Sequence, residues 1–183
     1  MRIATDRLVL REFVTGDWPA VLAYQRDPCF LRFYPWTGRI EAEVRDFVQR
    51  FVDDQADRPR RKFQFAITLT DGGQVIGSCG IRRKPGKDWE ADIGYDLAPE
   101  QWGRGYVTEA ALAIVDFGFN TLDLHRISSW CIADNAASAR VLEKAGLRRE
   151  GRSRENEHFK GRRWDTLFYG LLESEWRALP SIR

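Results

Sequence analysis

The stretch Ala98–Ala113, APEQWGRGYVTEAALA, joins a strand-like run to a helix-like run. Two glycines, Gly103 and Gly105, flank Arg104 within it. A helix that begins here presents unpaired backbone N–H groups at its positive end, and such groups bind anions. Glycine allows a ligand oxygen to approach the backbone closely, and the arginine adds positive charge. The stretch therefore predicts a binding site for phosphate or pyrophosphate.

Apolar patterns on both sides of this stretch predict a mixed α/β fold. Strand, helix and strand from Asp92 to Ala133 should form a parallel crossover, whereas hairpins on either side pair antiparallel strands. We therefore expect a mixed sheet of about seven strands with helices on both faces. The predicted strands cover residues 5–13, 62–70, 75–83, 89–97, 125–133, 147–159 and 162–172, and the predicted helices cover 15–27, 39–55, 107–119 and 134–147.

Length and composition narrow the class of protein. The 183 residues predict a single domain over residues 1–183, and a net charge of +2 is too small to indicate a nucleic-acid partner. Cys29, Cys79 and Cys131 lack metal-ligand spacing, so we expect reduced core cysteines and no metal. The sequence has neither a secretory signal nor an apolar run of membrane-spanning length, which predicts a cytoplasmic protein without a membrane partner.

The segment 148–163 is more basic than the rest of the chain. Seven Arg or Lys residues stand there against three Glu residues. The interleaved acids favour a solvated strand face, and an anion-attracting rim that binds RNA is the alternative. A steep salt dependence of RNA binding would distinguish the two interpretations.

Two common phosphate-binding motifs do not fit the glycine loop. A Walker loop requires GxxxxGK[ST], which the sequence lacks. A dinucleotide fingerprint requires a third glycine where Thr108 stands, and it usually follows the first strand of a chain. A coenzyme A pyrophosphate site and a purely structural turn remain.

The combined motifs resemble the GCN5-related N-acetyltransferase (GNAT) family. The resemblance rests on residues 93–119 and 124–151, and it extends from TDRLVLREF at 5–13 to DTLFYGLLESEW at 165–176. Within the family, the chain is similar to the RimJ/RimL-like bacterial enzymes that acetylate the N-termini of ribosomal proteins. The resemblance implies a sheet whose two central parallel strands separate, and acetyl-CoA as a cosubstrate that enters the gap.

The resemblance also assigns residues to acetyl-CoA. Its pantetheine arm should pair with backbone near Asp96 to Ala98, through Leu97 and Ala98, like an added strand. Asn135 should contact the same arm. The family's loop, Q/R-x-x-G-x-G/A, falls on Trp102, Gly103, Arg104, Gly105, Tyr106 and Val107, with Thr108 next in the helix. Trp102 and Val107 depart from that pattern, at positions where backbone N–H groups are expected to bind.

Two side chains are candidates for proton transfer. Ser138 lies three residues after Asn135, on the same helical face, and the resemblance implies that it donates to the departing thiolate. The alternative is that Asn135 only caps the helix and Ser138 is incidental. For the base, the resemblance favours Glu157. Water and three other carboxylates remain rivals: Glu155, predicted on the same strand face as Glu157, and Glu90 and Asp92 on the strand at 89–97.

The leading hypothesis is an acetyl-CoA-dependent N-acetyltransferase that acts on a primary amine, as a monomer or a homodimer. The acceptor is either a protein N-terminus or a small amine, and the length of the acyl group stays open. The aromatic run FLRFYPW at 30–36 is consistent with a flat apolar acceptor or with a core cluster. A non-catalytic acyl-CoA sensor is the alternative, since it would keep the glycine loop without a carboxylate near the thioester.

Overall fold

An eight-stranded mixed sheet forms the centre of the computed structural model, which describes residues 1–179. The strands are β1 (Arg2–Ala4), β2 (Leu8–Glu12), β3 (Lys62–Leu69), β4 (Gly72–Lys84), β5 (Lys87–Leu97), β6 (Arg126–Ile132), β7 (Arg148–Phe159) and β8 (Arg162–Leu172). Their order across the sheet is β1-β2-β3-β4-β5-β6-β8-β7. Only β5 and β6 are parallel neighbours, and all other neighbours are antiparallel. The predicted mixed α/β class is confirmed.

The additional strand arises at the start of the chain. A single strand was predicted over 5–13, but Thr5 begins a turn instead. Its backbone N–H donates to the carbonyl oxygen of Leu8, and its hydroxyl accepts the N–H of Leu8. This turn returns the chain, so β1 and β2 pair as a short hairpin.

Helices cover both faces of the sheet, as predicted. They are α1 (Trp18–Gln25), α2 (Pro28–Leu31), α3 (Glu41–Asp53), α4 (Tyr106–Asn120), α5 (Ala136–Lys144) and α6 (Glu173–Ala178). One core lies between the sheet and α4 and α5. A second core joins α1, α2 and α3 to the other face, and buried Phe30 belongs to it. The short helices α2 and α6 were not predicted.

The packing of α4 determines where the glycine loop lies. Gly118 brings the helix close to the sheet, because a Cβ there would meet Ile127 Cδ1 at 2.7 Å and Ile81 Cδ1 at 2.8 Å. The helix begins at Tyr106, shortly after β5 ends at Leu97. The loop between them therefore lies beside the carboxyl end of β5.

The structure shows where the cysteines lie, whether its helices could span a membrane and whether possible metal ligands lie together. Cys79 and Cys131 are buried, but Cys29 is exposed, so the prediction of three core cysteines was wrong for Cys29. Every helix within residues 1–179 is too short or too polar to span a bilayer. The same residues bring together no group of three His, Cys, Asp or Glu side chains that would suit a metal ion.

Candidate active site

A gap opens between the two parallel strands at the centre of the sheet. β5 and β6 pair from Glu90 opposite Arg126 to Asp92 opposite Ser128. β5 then continues to Leu97 and β6 to Ile132, without further paired positions between them. The hydroxyl of Ser129 donates to the carbonyl oxygen of Ile93 at 2.9 Å, at the closed end of the gap. Two adjacent strands thus leave an opening that a linear ligand can enter.

Part of the backbone on the β5 side of this gap is open for pairing. The N–H of Ala98 donates to the carbonyl oxygen of Ile76 at 2.8 Å, towards β4. Peptide groups alternate in direction along a strand, so those of Tyr95 and Leu97 face the gap. The Trp102 indole N–H donates to the Leu97 carbonyl oxygen at 2.8 Å. Trp102 therefore packs on this edge, which gives a structural reason for its departure from the family pattern.

The glycine loop lies at the wide end of the gap. Gly103 and Gly105 have φ angles of 76° and 81°, in the left-handed region that favours glycine. A Cβ at Gly103 would have no neighbour within 4 Å, so the loop is open to a ligand. Helix α4 starts directly after Gly105, and the N–H groups of its first three residues, Tyr106 to Thr108, have no partner four residues earlier in a helix. The Arg104 side chain is exposed beside them.

Ser138 and Asn135 lie on the other side of the gap, at the start of α5. The Asn135 side-chain oxygen accepts the Ser138 N–H at 3.1 Å and so caps the helix. Tyr95 reaches across from β5, where its hydroxyl lies 3.0 Å from the Ser138 carbonyl oxygen and 3.1 Å from Ser138 Oγ. Capping by Asn135 is thus present, and it leaves the amide NH₂ of Asn135 as the group to offer a ligand.

Glu90 and Asp92, two rival bases, are already neutralised by cations. Glu90 is 4% exposed, and its carboxylate lies 2.6 Å from Lys84 Nζ and 3.3 Å from Lys87 Nζ. Burial would raise the pKa of Glu90, but the hydrogen bonds from these lysines outweigh burial and lower it. Asp92 Oδ2 lies 2.6 Å from Arg82. Both carboxylates are therefore less suited to take a proton from an amine.

Glu157 occupies the face of the sheet opposite α4. It pairs with Trp164 across the β7–β8 hairpin, and Trp164 packs edge-on against Phe33 after α2. Lys160 Nζ, at the hairpin turn, donates to the Leu31 carbonyl oxygen at 2.7 Å. These contacts hold the hairpin against the segment that follows α1, so Glu157 lies on the sheet face that this segment covers.

Glu155 does not share the regular geometry that the sequence predicted for it. The β7–β8 register shifts between Ser153 and Glu157, and Glu155 has a φ of 51°. Its backbone N–H donates to Asp165 Oδ1 at 2.8 Å. Strand alternation fails within this bulge, so it no longer places the exposed Glu155 on the face of Glu157.

Sequence comparison decides the family. A family model described as "Acetyltransferase (GNAT) domain" matches residues 7–148. The chain belongs to the GNAT acetyltransferase family. It is 34% identical to the N-acetyltransferase YnaD of Bacillus subtilis (strain 168) over 176 residues, which cover 96% of this chain and 99% of YnaD. A GNAT enzyme of this kind is an acetyl-CoA-dependent N-acetyltransferase.

Two acetyltransferases of ribosomal proteins are among the proteins that this GNAT chain resembles. The [ribosomal protein uS5]-alanine N-acetyltransferase of Escherichia coli (strain K12) is 24% identical over 187 residues, covering 96% of this chain and 93% of that protein. The structure of RimL, a ribosomal L7/L12 α-N-protein acetyltransferase in complex with coenzyme A, has a TM-score of 0.82. It is 21% identical and covers 94% of this chain and 98% of RimL, so it supports the fold alone.

Arg7 contacts the glycine loop, and sequence reasoning did not identify it as part of the site. Its Nε lies 2.7 Å from Glu109 Oε2, and its Nη1 donates to the Arg104 carbonyl oxygen at 3.0 Å. Thr5 Oγ1 also donates to Glu109, at 2.6 Å. Burial would raise the pKa of Glu109, but the hydrogen bonds from Thr5 and Arg7 lower it. This ionised network ties the N-terminal hairpin to the GNAT glycine loop and fixes the loop's position.

Asp96 is a second residue that sequence reasoning missed. It is half-buried near the end of β5, where its Oδ1 accepts the Ser78 N–H at 2.8 Å and the Tyr24 hydroxyl at 3.1 Å. Burial raises the pKa of Asp96 to about 6, although both hydrogen bonds oppose that rise. No local pattern distinguishes Asp96, because Asp88, Glu90 and Asp92 already stand at alternate positions of the same strand.

Proposed function

We propose that this enzyme transfers the acetyl group of acetyl-CoA to a primary amine by direct attack within a ternary complex. The supporting observation is the separation of β5 from β6 beyond Asp92 and Ser128, with the Gly103–Gly105 loop at its wide end. This arrangement offers a positive binding site for a diphosphate and a narrow opening for a linear thioester. An amine can approach the thioester from the sheet face opposite α4.

The donor is bound chiefly by backbone groups in this proposal. Its diphosphate accepts hydrogen bonds from the backbone N–H groups of the Gly103–Gly105 loop and of the first turn of α4, Tyr106 to Thr108. Arg104 adds positive charge beside them. Its pantetheine arm lies along β5 beside Leu97 and Ala98 and pairs with the gap-facing backbone of Leu97, since the Ala98 N–H already donates to Ile76. The Asn135 amide contacts the arm from the opposite side. Val107 and Trp102 shape the surroundings of these backbone groups.

The acetyl transfer has three requirements, and the chain offers a group for each. Glu157 takes a proton from the acceptor ammonium, which frees the nitrogen lone pair for attack. A backbone N–H on the gap-facing edge of β5 stabilises the negative charge on the carbonyl oxygen. The C–N bond forms as the C–S bond breaks, and Ser138 donates a proton to the thiolate. The second proton that the attacking nitrogen loses passes through water and restores the Ser138 hydroxyl. Glu157 is preferred to Glu90 and Asp92 because those two carboxylates are ion-paired.

The acceptor is proposed to be a protein N-terminus or a small amine. Its pocket would be lined by residues 18–55 and by the tip of the β7–β8 hairpin, which contact each other through Lys160 and Leu31. Similarity to the uS5-alanine N-acetyltransferase and to RimL favours a protein N-terminus. We further propose that the chain acts as one acyltransferase domain in the cytoplasm, as a monomer or a homodimer.

An acceptor screen tests the function. The purified protein is incubated with acetyl-CoA and with alanine- and serine-leading peptides, spermidine and 2-phenylethylamine. Thiol release and the mass gain of one acetyl group are then followed together. We expect both signals with at least one amine. Tight coenzyme A binding without turnover on any amine would contradict the proposal and favour an acyl-CoA sensor.

A further inference from the structure

Asp96 lies on the part of β5 that has separated from β6. Side chains alternate between the faces of a strand, so Asp96 shares a face with Asp92, four residues earlier. Tyr95 and Leu97, on the other face, pack into the core with α4. The Asp96 side chain therefore lies on the face opposite α4, where Tyr24 of α1 contacts it.

The Asp96 carboxylate is held in place but not neutralised. Its two hydrogen-bond donors, the Ser78 N–H and the Tyr24 hydroxyl, carry no charge. Within residues 1–179, no Lys, Arg or His side chain forms an ion pair with Asp96, in contrast to Asp92 on the same strand. A charged carboxylate in such a half-buried position is unfavourable unless a cation binds beside it.

The ionisable groups that face Asp96 do not supply that cation. They are Tyr24 from α1, Tyr34 from the segment after α2, and Arg82 from β4, whose guanidinium lies over Gly94 but is paired with Asp92 at 2.6 Å. Cys79 is also near, on the opposite face of the sheet in the core with α4. Burial is the largest influence on the pKa values of Tyr24, Tyr34 and Cys79, and it raises each of them, so these three groups are neutral at pH 7. Asp96 therefore carries a negative charge without an ion pair of its own among the described residues, on the part of β5 that has separated from β6.

We propose that Asp96 binds the ammonium group of the acceptor and makes the enzyme selective for cationic amines. This inference rests on the proposed function, because it concerns the acceptor of that same reaction. The ammonium donates one N–H to Asp96 and passes a proton to Glu157. The neutral nitrogen then attacks the thioester carbon, the C–N bond forms, the C–S bond breaks, and the thiolate takes a proton from Ser138. The second proton that the nitrogen loses passes through water to restore the Ser138 hydroxyl. Asp96 acts here as a positioning residue for the acceptor.

This role has a pH dependence with a defined direction. The pKa of Asp96 is raised to about 6, so the carboxylate is charged at pH 7 and loses its charge as the pH falls through 6. Acceptor binding should weaken over the same range. The hydrogen bond from Tyr24 lowers the pKa of Asp96, so removing that hydroxyl should move the change to a higher pH.

The test is Asp96→Asn, measured with whichever amine of the acceptor screen the unmodified enzyme acetylates fastest. Asparagine has the same shape and can still accept from Ser78 and Tyr24. We expect an acceptor KM at least about tenfold higher, with kcat and the KM for acetyl-CoA changed less than about twofold, since an ion pair of this kind is worth roughly tenfold or more in affinity. The fall in kcat/KM below pH 6 should also disappear.

The other outcomes are informative as well. An unchanged acceptor KM together with an unchanged fall in kcat/KM below pH 6 would overturn the role of Asp96. An equal loss of affinity for acetyl-CoA would also overturn it, because that loss would indicate a purely structural role. If Asp96→Asn does not fold, Tyr24→Phe gives an independent check. In that variant the fall in kcat/KM at acidic pH should begin at a higher pH, and an unchanged pH profile would contradict the proposal. Absence of turnover in the unmodified enzyme would instead count against the proposed function.

Discussion

The Tyr95 hydroxyl lies 3.1 Å from Ser138 Oγ and joins the two sides of the central gap. Tyr95 belongs to β5, whereas Ser138 lies in the first turn of α5, after β6. The Tyr95 hydroxyl also donates to the Ser138 carbonyl oxygen at 3.0 Å, which leaves its oxygen free to accept from Ser138 Oγ. The two hydroxyls thus form a short polar chain where the thioester sulfur is proposed to lie.

Ser138→Ala should lower kcat by about a hundredfold, because a group that transfers a proton in the transition state contributes of that order. The KM for acetyl-CoA should change little. Tyr95→Phe keeps the Ser138 hydroxyl and removes only its neighbour, so its effect on kcat should be smaller. Steady-state thiol release measures both variants. Full activity of Ser138→Ala would assign the proton transfer to solvent.

Gly105→Asp should weaken acetyl-CoA binding by more than tenfold, because a carboxylate would enter the proposed diphosphate site. The matched control is Gly86→Asp, in the β4–β5 turn, where φ is also positive at 70° and a Cβ would have no neighbour within 4 Å. Both variants carry a similar backbone strain of about 1–2 kcal/mol. Calorimetric titration should therefore show weaker acetyl-CoA binding for Gly105→Asp than for Gly86→Asp. Equal affinities of the two variants would show that the glycine loop does not bind acetyl-CoA.

Glu157→Gln should lose about a hundredfold in kcat at neutral pH while it keeps its affinity for coenzyme A, since glutamine cannot accept the amine proton. Glu173→Gln, on α6 and paired with Arg177, is a control for the same chemical change at another place. If Glu157→Gln stays fully active and Glu155→Gln does not, the base lies in the β7 bulge.

Asp96→Asn should stabilise the fold at neutral pH. The folded-state pKa is raised to about 6 from an ordinary value of 3.8, so the folded chain binds the Asp96 proton more tightly than the unfolded chain. The charged group therefore reduces stability as the pH rises from about 4 to 6, by at most about 3 kcal/mol. Denaturant unfolding should show a gain for the variant at pH 7.5 that nearly vanishes at pH 4. An equal gain at both pH values would contradict the raised pKa.

The parts of the site that local sequence could predict are those formed by neighbouring residues. The glycine loop, the start of α4 near Val107 and the cap at Asn135 each depend on residues within a few positions of one another, and the structure has all three. The mixed sheet followed from the order of strands and helices. The resemblance to GNAT enzymes supplied the separation of β5 from β6, which hydrophobic patterns do not encode.

Long-range contacts and irregular backbone explain what was missed. Arg7 contacts Glu109 across 102 positions of sequence, and no local pattern indicates that pair. Asp96 becomes distinctive only when Tyr24 folds over it and the cations nearby pair with Glu90 and Asp92 instead. Glu155 was placed by strand alternation, and the bulge between Ser153 and Glu157 interrupts that alternation.

The most direct measurement is a crystal structure of this chain with coenzyme A bound. We expect the diphosphate to lie on the N–H groups of residues 103–108 and the pantetheine arm to lie against Leu97 and Ala98. The thiol should lie near Ser138 and Tyr95, within the gap between β5 and β6, if the proposed site is correct. A diphosphate bound away from the glycine loop, or a thiol outside the gap, would contradict it.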